Sequence, residues 1–272
     1  MVLEKLRLDD RVAVITGGGT GLGRAMALAI ARAGAHVVLG ARRVGPLEET
    51  AELVRANGRR ATAISTDVTD SSQCDRLIAG AVGEHGRLDI LVNNAGIDRA
   101  TPRGKALVEI TDEEWRRGID VNLSGAFFCA RAAARVMLEQ RRGVILNIAS
   151  GWAYRGGRNY FMYACAKGGV VQLTRSLAMT LQPHGVRAVG IAPGFFAQSP
   201  ATTDEERAER RERGKYIPVG RIGEPDEIGP LAVFLVSDAA SYICGETVAL
   251  DGGGLAGGAA PWGFEPLLKV ED

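Results

Sequence analysis

Residues 12–23 read Val-Ala-Val-Ile-Thr-Gly-Gly-Gly-Thr-Gly-Leu-Gly, and an alanine-rich stretch follows directly. Residues 12–15 form a short apolar run suited to a buried strand, and residues 22–33 carry helical periodicity. Between them, glycines let the backbone turn tightly and approach a pyrophosphate, which the free amides and positive end of the following helix attract. The spacing is Gly-x-x-x-Gly-x-Gly, not the GxGxxG of the commoner dinucleotide fingerprint. Tight turns also use glycine runs. The strand before and the helix after mark this one as a phosphate cradle, with Gly17, Gly19, Thr20, Gly21, Leu22 and Gly23 as its candidate contacts.

Outward from the cradle, the same alternation recurs. Apolar runs at 36–39, 61–64, 90–92, 144–148, 186–191 and 247–250 are rich in Val, Ile, Leu and Ala. Helical stretches at 47–56, 71–82, 113–139, 162–181 and 226–236 lie between or beside them. Thr111 with Glu114 spells a capping box, Pro225 suits a first helical turn, and Gly34, Gly58 and Gly185 suit helix ends. Strand and helix in alternation predict one α/β domain over residues 1–272. It is a Rossmann-type, doubly wound, mainly parallel seven-stranded sheet with helices on both faces. Residues 252–272, with Gly252–Gly254 and Gly257–Gly258, read as a glycine-rich C-terminal tail.

Lys and Arg number 33 against 32 Asp and Glu, so no global field holds a nucleic acid or an acidic membrane. Glu4, Lys5, Arg7, Asp9 and Asp10 interrupt any apolar leader, which sets a cytoplasmic expectation. Cys74, Cys129, Cys165 and Cys244 are scattered, as are His36, His85 and His184. No CxxC or HxxxH spacing supports a metal site, and reduced, mostly buried thiols are expected.

At the end of the second strand come Gly40-Ala41-Arg42-Arg43, where an NAD site usually places an acid for the ribose hydroxyls. Two guanidiniums instead suit a 2′-phosphate, which favours NADP(H), with NAD(H) as the alternative if the arginines only decorate a solvated loop. Tyr163-Ala-Cys-Ala-Lys167 puts a phenol and an ammonium on one helical face, and a nearby cation stabilises phenolate. Such pairs also arise by chance. Ser150, just past the run 144–148 and before Gly151, adds a hydroxyl placed to bind a substrate oxygen.

Together these segments resemble the classical short-chain dehydrogenase/reductase family over residues 8–254. The resemblance rests on TGGGTGLG at 16–23, Asn93-Asn94-Ala95-Gly96, Ser150, the Tyr163/Lys167 pair and Pro193-Gly194 in order. It implies an oxidoreductase that interconverts a ketone or aldehyde and an alcohol by hydride transfer. Tyr163 is then the acid/base, Lys167 lowers its pKa and binds the nicotinamide ribose, and Ser150 orients the carbonyl. Asn122 matches the family residue that bends a helix and holds a water in the proton relay; its structural alternative is a helix-bending polar residue without chemistry. Asp67 and Val68 match an adenine contact. Asn94, Ala95, Gly96, Pro193 and Gly194 match cofactor-lining positions, and Asn94 also suits support of the sheet. Where the family commonly has Thr after Pro-Gly, this chain has Phe195-Phe196-Ala197-Gln198-Ser199, and Gln198 and Ser199 are the candidates to substitute for it.

In the resembled family the segment after Pro-Gly often closes over substrate, which predicts a lid at 195–217 lined by Phe195 and Phe196. Glu206/Arg210 and Glu209/Arg213, each at i,i+4, suit a solvated helix there. Trp152, Tyr154, Tyr160 and Phe161 suggest an aromatic substrate pocket, and Arg155 and Arg158 an anionic group, although ordinary packing accounts for each alone. Arg141 and Arg142 match where related ketoacyl reductases dock an acyl carrier, while His184 replaces the further arginine expected. The readings left open are an NADP(H)-dependent carbonyl reductase or alcohol dehydrogenase, an NAD-dependent sugar or polyol dehydrogenase, a 3-oxoacyl-carrier-protein reductase, and a non-catalytic dinucleotide-binding regulator. Residues 113–139 and 162–181 carry more apolar surface than one sheet face needs, so a homo-oligomer is expected, and the resemblance favours a tetramer.

Overall fold

Residues 2–97, 106–157 and 160–257 are described by the computed structural model. Arg158, Gly258 and the rest of the expected tail lie outside the described residues. In chain order the elements are β1 (Val12–Thr16), α1 (Gly21–Arg32), β2 (His36–Ala41), α2 (Val44–Ala56), β3 (Ala61–Ser65) and α3 (Ser71–His85). Then follow β4 (Ile90–Asn93), α4 (Asp112–Ile119), α5 (Gly125–Gln140), β5 (Gly143–Ile148) and α6 (Phe161–Leu181). Last come β6 (Val186–Pro193), α7 (Asp204–Gly214), α8 (Ile228–Val236) and β7 (Thr247–Leu250).

The seven strands form one sheet in the order β3-β2-β1-β4-β5-β6-β7, and every pairing is parallel. Crossover helices cover both faces, so the central strands β1, β4, β5 and β6 are buried throughout and read as apolar runs without alternation. All five residues of β1 are buried. Ala13 and Ile15 join a core with α1, α2 and α8, while Val14 joins the opposite core with α3 and α5. Strand order reverses between β1 and β4, and the crevice at the carboxyl ends of the strands there is where such sheets bind ligands.

Local signals hold at most boundaries. Thr111 and Glu114 exchange the two bonds of a capping box, Pro225 opens a 3₁₀ turn before α8, and Gly34, Gly58 and Gly185 follow helix ends at positive φ. Two expectations are corrected. The helix expected at 113–139 is interrupted by a π turn, Asp120–Ser124, which joins α4 to α5. An extra residue per turn barely disturbs an apolar stripe, so periodicity does not reveal it. The pair expected between Glu206 and Arg210 does not form: Glu206 accepts from the Thr202 and Thr203 amides, and Arg210 turns inward to Glu224 and the Ser199 carbonyl. Cys74 and Cys129 are buried free thiols, whereas Cys165 is exposed.

Candidate active site

The glycine loop leaves β1 at the switch point. Gly17 turns at φ +67° and donates its N–H to the Gly40 carbonyl at 2.7 Å, a conformation open to few other residues. At Gly23 the first turn of α1 lies against the loop so closely that a Cβ would stand 2.2 Å from the Gly17 carbonyl oxygen. Thr20 is the N-cap of α1 but makes no side-chain cap bond, unlike Asp70 on α3 and Thr111 on α4. The first amides of this helix are thereby left without a side-chain acceptor and are open to an external one, as a phosphate cradle requires. Sequence reasoning missed Arg24, whose Nε donates to the Gly19 carbonyl at 3.0 Å while its other nitrogen pairs with Glu49 at 2.7 Å. The signal was present: a cation in the first helical turn opposes the helix dipole unless it has another task.

A cavity of about 520 Å³ opens beside the loop, lined among others by Thr20, Arg42, Arg43, Asp67, Ala95 and Gly96. Arg42 and Arg43 are exposed, and neither forms an ion pair among the described residues. Two of the three acids of neighbouring α2 are engaged elsewhere, Glu48 with Arg55 and Glu49 with Arg24. Uncompensated guanidiniums beside an uncapped helix end suit a polyanionic ligand. Asp67 is fixed on the opposite lip, where its carboxylate accepts from the Thr69 N–H and hydroxyl at 3.0 and 2.8 Å.

Thr16 builds the next wall. Its hydroxyl donates to the Val92 carbonyl and accepts the N–H groups of Asn94 and Ala95, while Asn94 Nδ2 donates to the Thr16 and Gly17 carbonyls. Asn94 thus ties the strand end to the glycine loop. In the π turn, buried Asn122 grips Ile97 from both sides, accepting its N–H at 3.1 Å and donating to its carbonyl at 2.9 Å. On α6, Lys167 is 4% exposed and donates to the Ile148 carbonyl at 2.8 Å, which holds α6 against the end of β5 two residues before Ser150. Its ammonium lies 5.7 Å from the Tyr163 ring centroid, and burial moves its pKa down to about 8. A Cβ on Gly96 would stand 2.8 Å from Asn122 Oδ1 and 3.5 Å from Lys167 Nζ, so three of the motifs meet at one point. Ser150 Oγ accepts the Trp152 N–H at 3.3 Å.

Beyond Ser150, Trp152 stacks on Tyr160 at 4.9 Å and meets Phe195 edge-on at 6.3 Å, with the Arg155 guanidinium 4.7 Å from the Trp152 ring. Phe196 instead packs on Gly223, and Tyr154 reaches the Thr247 carbonyl, so these two do not join the stack. Pro193 ends β6, and the Gly194 N–H donates to the Leu250 carbonyl. Gln198 lies over the start of α1: a Gly21 Cβ would stand 2.7 Å from its Oε1. Ser199 offers only its carbonyl, to Arg210, so Gln198 is the better placed of the two toward the cradle. Arg141 and Arg142 immediately precede β5 and therefore sit at the amino ends of the strands, opposite the end that bears the cavity. Among the described residues, no group of three His, Cys, Asp or Glu side chains is arranged to hold a metal ion, and no helix is long and apolar enough to cross a membrane.

The profile of the enoyl-(acyl carrier protein) reductase family matches residues 17–254. The 2-dehydro-3-deoxy-D-gluconate 5-dehydrogenase of Dickeya dadantii is 39% identical over 261 residues, covering 94% of this chain and all of that protein. A 3-oxoacyl-[acyl-carrier-protein] reductase of Synechocystis sp. is 37% identical over 249 residues, covering 90% and 97%. A short-chain type dehydrogenase/reductase from Mycobacterium marinum superposes with a TM-score of 0.84 at 35% identity, covering 93% and 98%.

Proposed function

The chain belongs to the classical short-chain dehydrogenase/reductase family and is an oxidoreductase that interconverts a carbonyl and an alcohol with a nicotinamide dinucleotide, and on that footing we propose its mechanism and cofactor. The observation that carries the mechanism is the meeting of Lys167, Asn122 and Gly96, with Tyr163 on the face of α6 that bears Lys167. The bound nicotinamide supplies or accepts the hydride. Ser150 holds the substrate oxygen through its hydroxyl, and Tyr163 gives that oxygen a proton in reduction or takes it in oxidation. Lys167, still an ammonium at neutral pH, stabilises the phenolate and binds the nicotinamide ribose. Asn122 fixes Ile97, and with it the 94–97 wall, and keeps the relay water in place. The glycine loop from Gly17 to Gly23, with Asp67, Val68, Asn94, Ala95, Gly96, Pro193 and Gly194, holds the dinucleotide.

Within that reading the enzyme prefers NADP(H), because Arg42 and Arg43 line the cavity with no acid committed to them. Replacing both by Ala is expected to weaken NADPH binding about tenfold to a hundredfold and to leave NADH within about twofold, since a charge-assisted hydrogen bond contributes about 1.5–3 kcal/mol. Titration of both cofactors, with turnover on a ketone and alcohol panel, checks this. A parallel loss for both cofactors would defeat the assignment.

Residues 195–217 act as a lid over Trp152 and Tyr160, within a single catalytic domain. Arg210 ties α7 to the Ser199 carbonyl within the segment and to Glu224 beyond it, so the lid is anchored there and moves about that point. Amide exchange in 200–214 is expected to slow as a block when cofactor and substrate bind; exchange indifferent to both would exclude a lid. Exposed Trp115 on α4, Phe127 on α5 and Met179 on α6 support a homotetramer, for which sedimentation velocity gives the mass.

A further inference from the structure

Gly125 opens α5 with no side chain because Val68 fills the space: a Cβ there would stand 2.8–2.9 Å from the Val68 side chain and 3.1 Å from its carbonyl oxygen. The helix start is thereby seated on the loop that follows β3. Val121 and Arg117 precede Gly125 by four and eight residues, about one and two turns back along the same side of the α4–π–α5 rod. Both line the cavity together with Asp67, Val68 and Thr69. Arg117 therefore stands above the wall that the dinucleotide reading gives to the adenine.

Its neighbour Arg116 is engaged with Asp112 at 3.0 Å. The Arg117 side chain makes no hydrogen bond or ion pair with the described residues, although its own helix begins with Asp112, Glu113 and Glu114. An exposed arginine beside three acids that pairs with none of them, and lines a cavity instead, is oriented for a ligand. Val121 below it is apolar and partly buried, so this side of the cavity offers an apolar floor beneath a planar cation. That combination fits the flat face of a purine better than a phosphate.

We infer that Arg117 lays its guanidinium on the adenine ring and closes the open side of the adenosine subsite, a contact common to both cofactors. The inference rests on the dinucleotide reading of the cavity. It is tested by calorimetric titration of the cofactor-free full chain with AMP, NADH and NADPH, using wild type, Arg117→Ala, Arg117→Lys and Arg42→Ala/Arg43→Ala. Arg117→Ala is expected to weaken all three ligands by a similar factor, about threefold to thirtyfold for a stacked cation. Arg117→Lys, which keeps the charge but loses the plane, should recover little. Loss confined to NADPH, full recovery by Lys, or affinities unchanged in Arg117→Ala would each overturn it. If wild type bound none of the three ligands, the cavity reading itself would fall; unchanged Arg117→Ala beside normal wild-type binding sinks only the role of Arg117.

Discussion

Tyr163→Phe is expected to lower kcat by about 10²–10⁴-fold, the range for loss of a positioned general acid or base, while the dissociation constant for NADPH stays within about twofold. The separation follows from where the residue lies. Its ring contributes to the packing of α6 beside Lys167, and phenylalanine keeps that ring. Lys167 retains its bond to the Ile148 carbonyl, so the ribose side of the site survives. Only the transferable proton goes. Stopped-flow and steady-state rates, with circular dichroism to confirm the fold, decide it: a variant keeping more than about a tenth of wild-type kcat cannot have lost its acid/base.

The second large effect lies at the cradle. Gly23→Ala places a methyl carbon where only 2.2 Å separates it from the Gly17 carbonyl oxygen and 2.5 Å from Asn94 Nδ2. Both neighbours are held, Gly17 through its bond to Gly40 and Asn94 through its bonds to the Thr16 and Gly17 carbonyls, so the loop must lift from α1. Overpacking of this kind costs about 1–3 kcal/mol of stability. The displaced amides no longer converge, and NADPH affinity should fall by more than about a hundredfold, equivalent to about 2.7 kcal/mol. Fluorescence titration at a temperature where the variant remains folded separates the two losses. Wild-type affinity in a folded Gly23→Ala protein would falsify the close approach as the reason for glycine there.

The sheet was legible in the sequence because its central strands are buried on both faces and therefore spell themselves as runs such as Val12-Ala13-Val14-Ile15. The cradle and the Tyr163/Lys167 pair were legible because their spacing is local. What escaped depends on partners distant in the chain. Arg210 looked like one half of a surface pair with Glu206 until the fold brought Glu224 to it. Nothing in the dipeptide Phe195-Phe196 says which ring meets Trp152 and which lies on Gly223, since that depends on the path of the backbone after β6. Arg117 was hidden for the same reason: its relation to Val68 runs through Gly125.

The π turn at Asp120–Ser124 makes chain length itself a determinant of this site. Seen as an inserted residue, it widens one turn between two otherwise ordinary helices. Removing one residue from it would restore regular winding and leave the flanking helices close to their present phase, because a π turn absorbs its extra residue in nearly the rotation of an ordinary turn. The wide turn in which Asn122 grips Ile97 would be lost, whereas an indel in the regular helices on either side would turn Arg117 or the face of α5 by about 100° about the axis, with no chemical group substituted. Selection on the rod between residues 112 and 140 therefore acts on register as well as on identity, and single-residue indels there should be tolerated less well than most point substitutions.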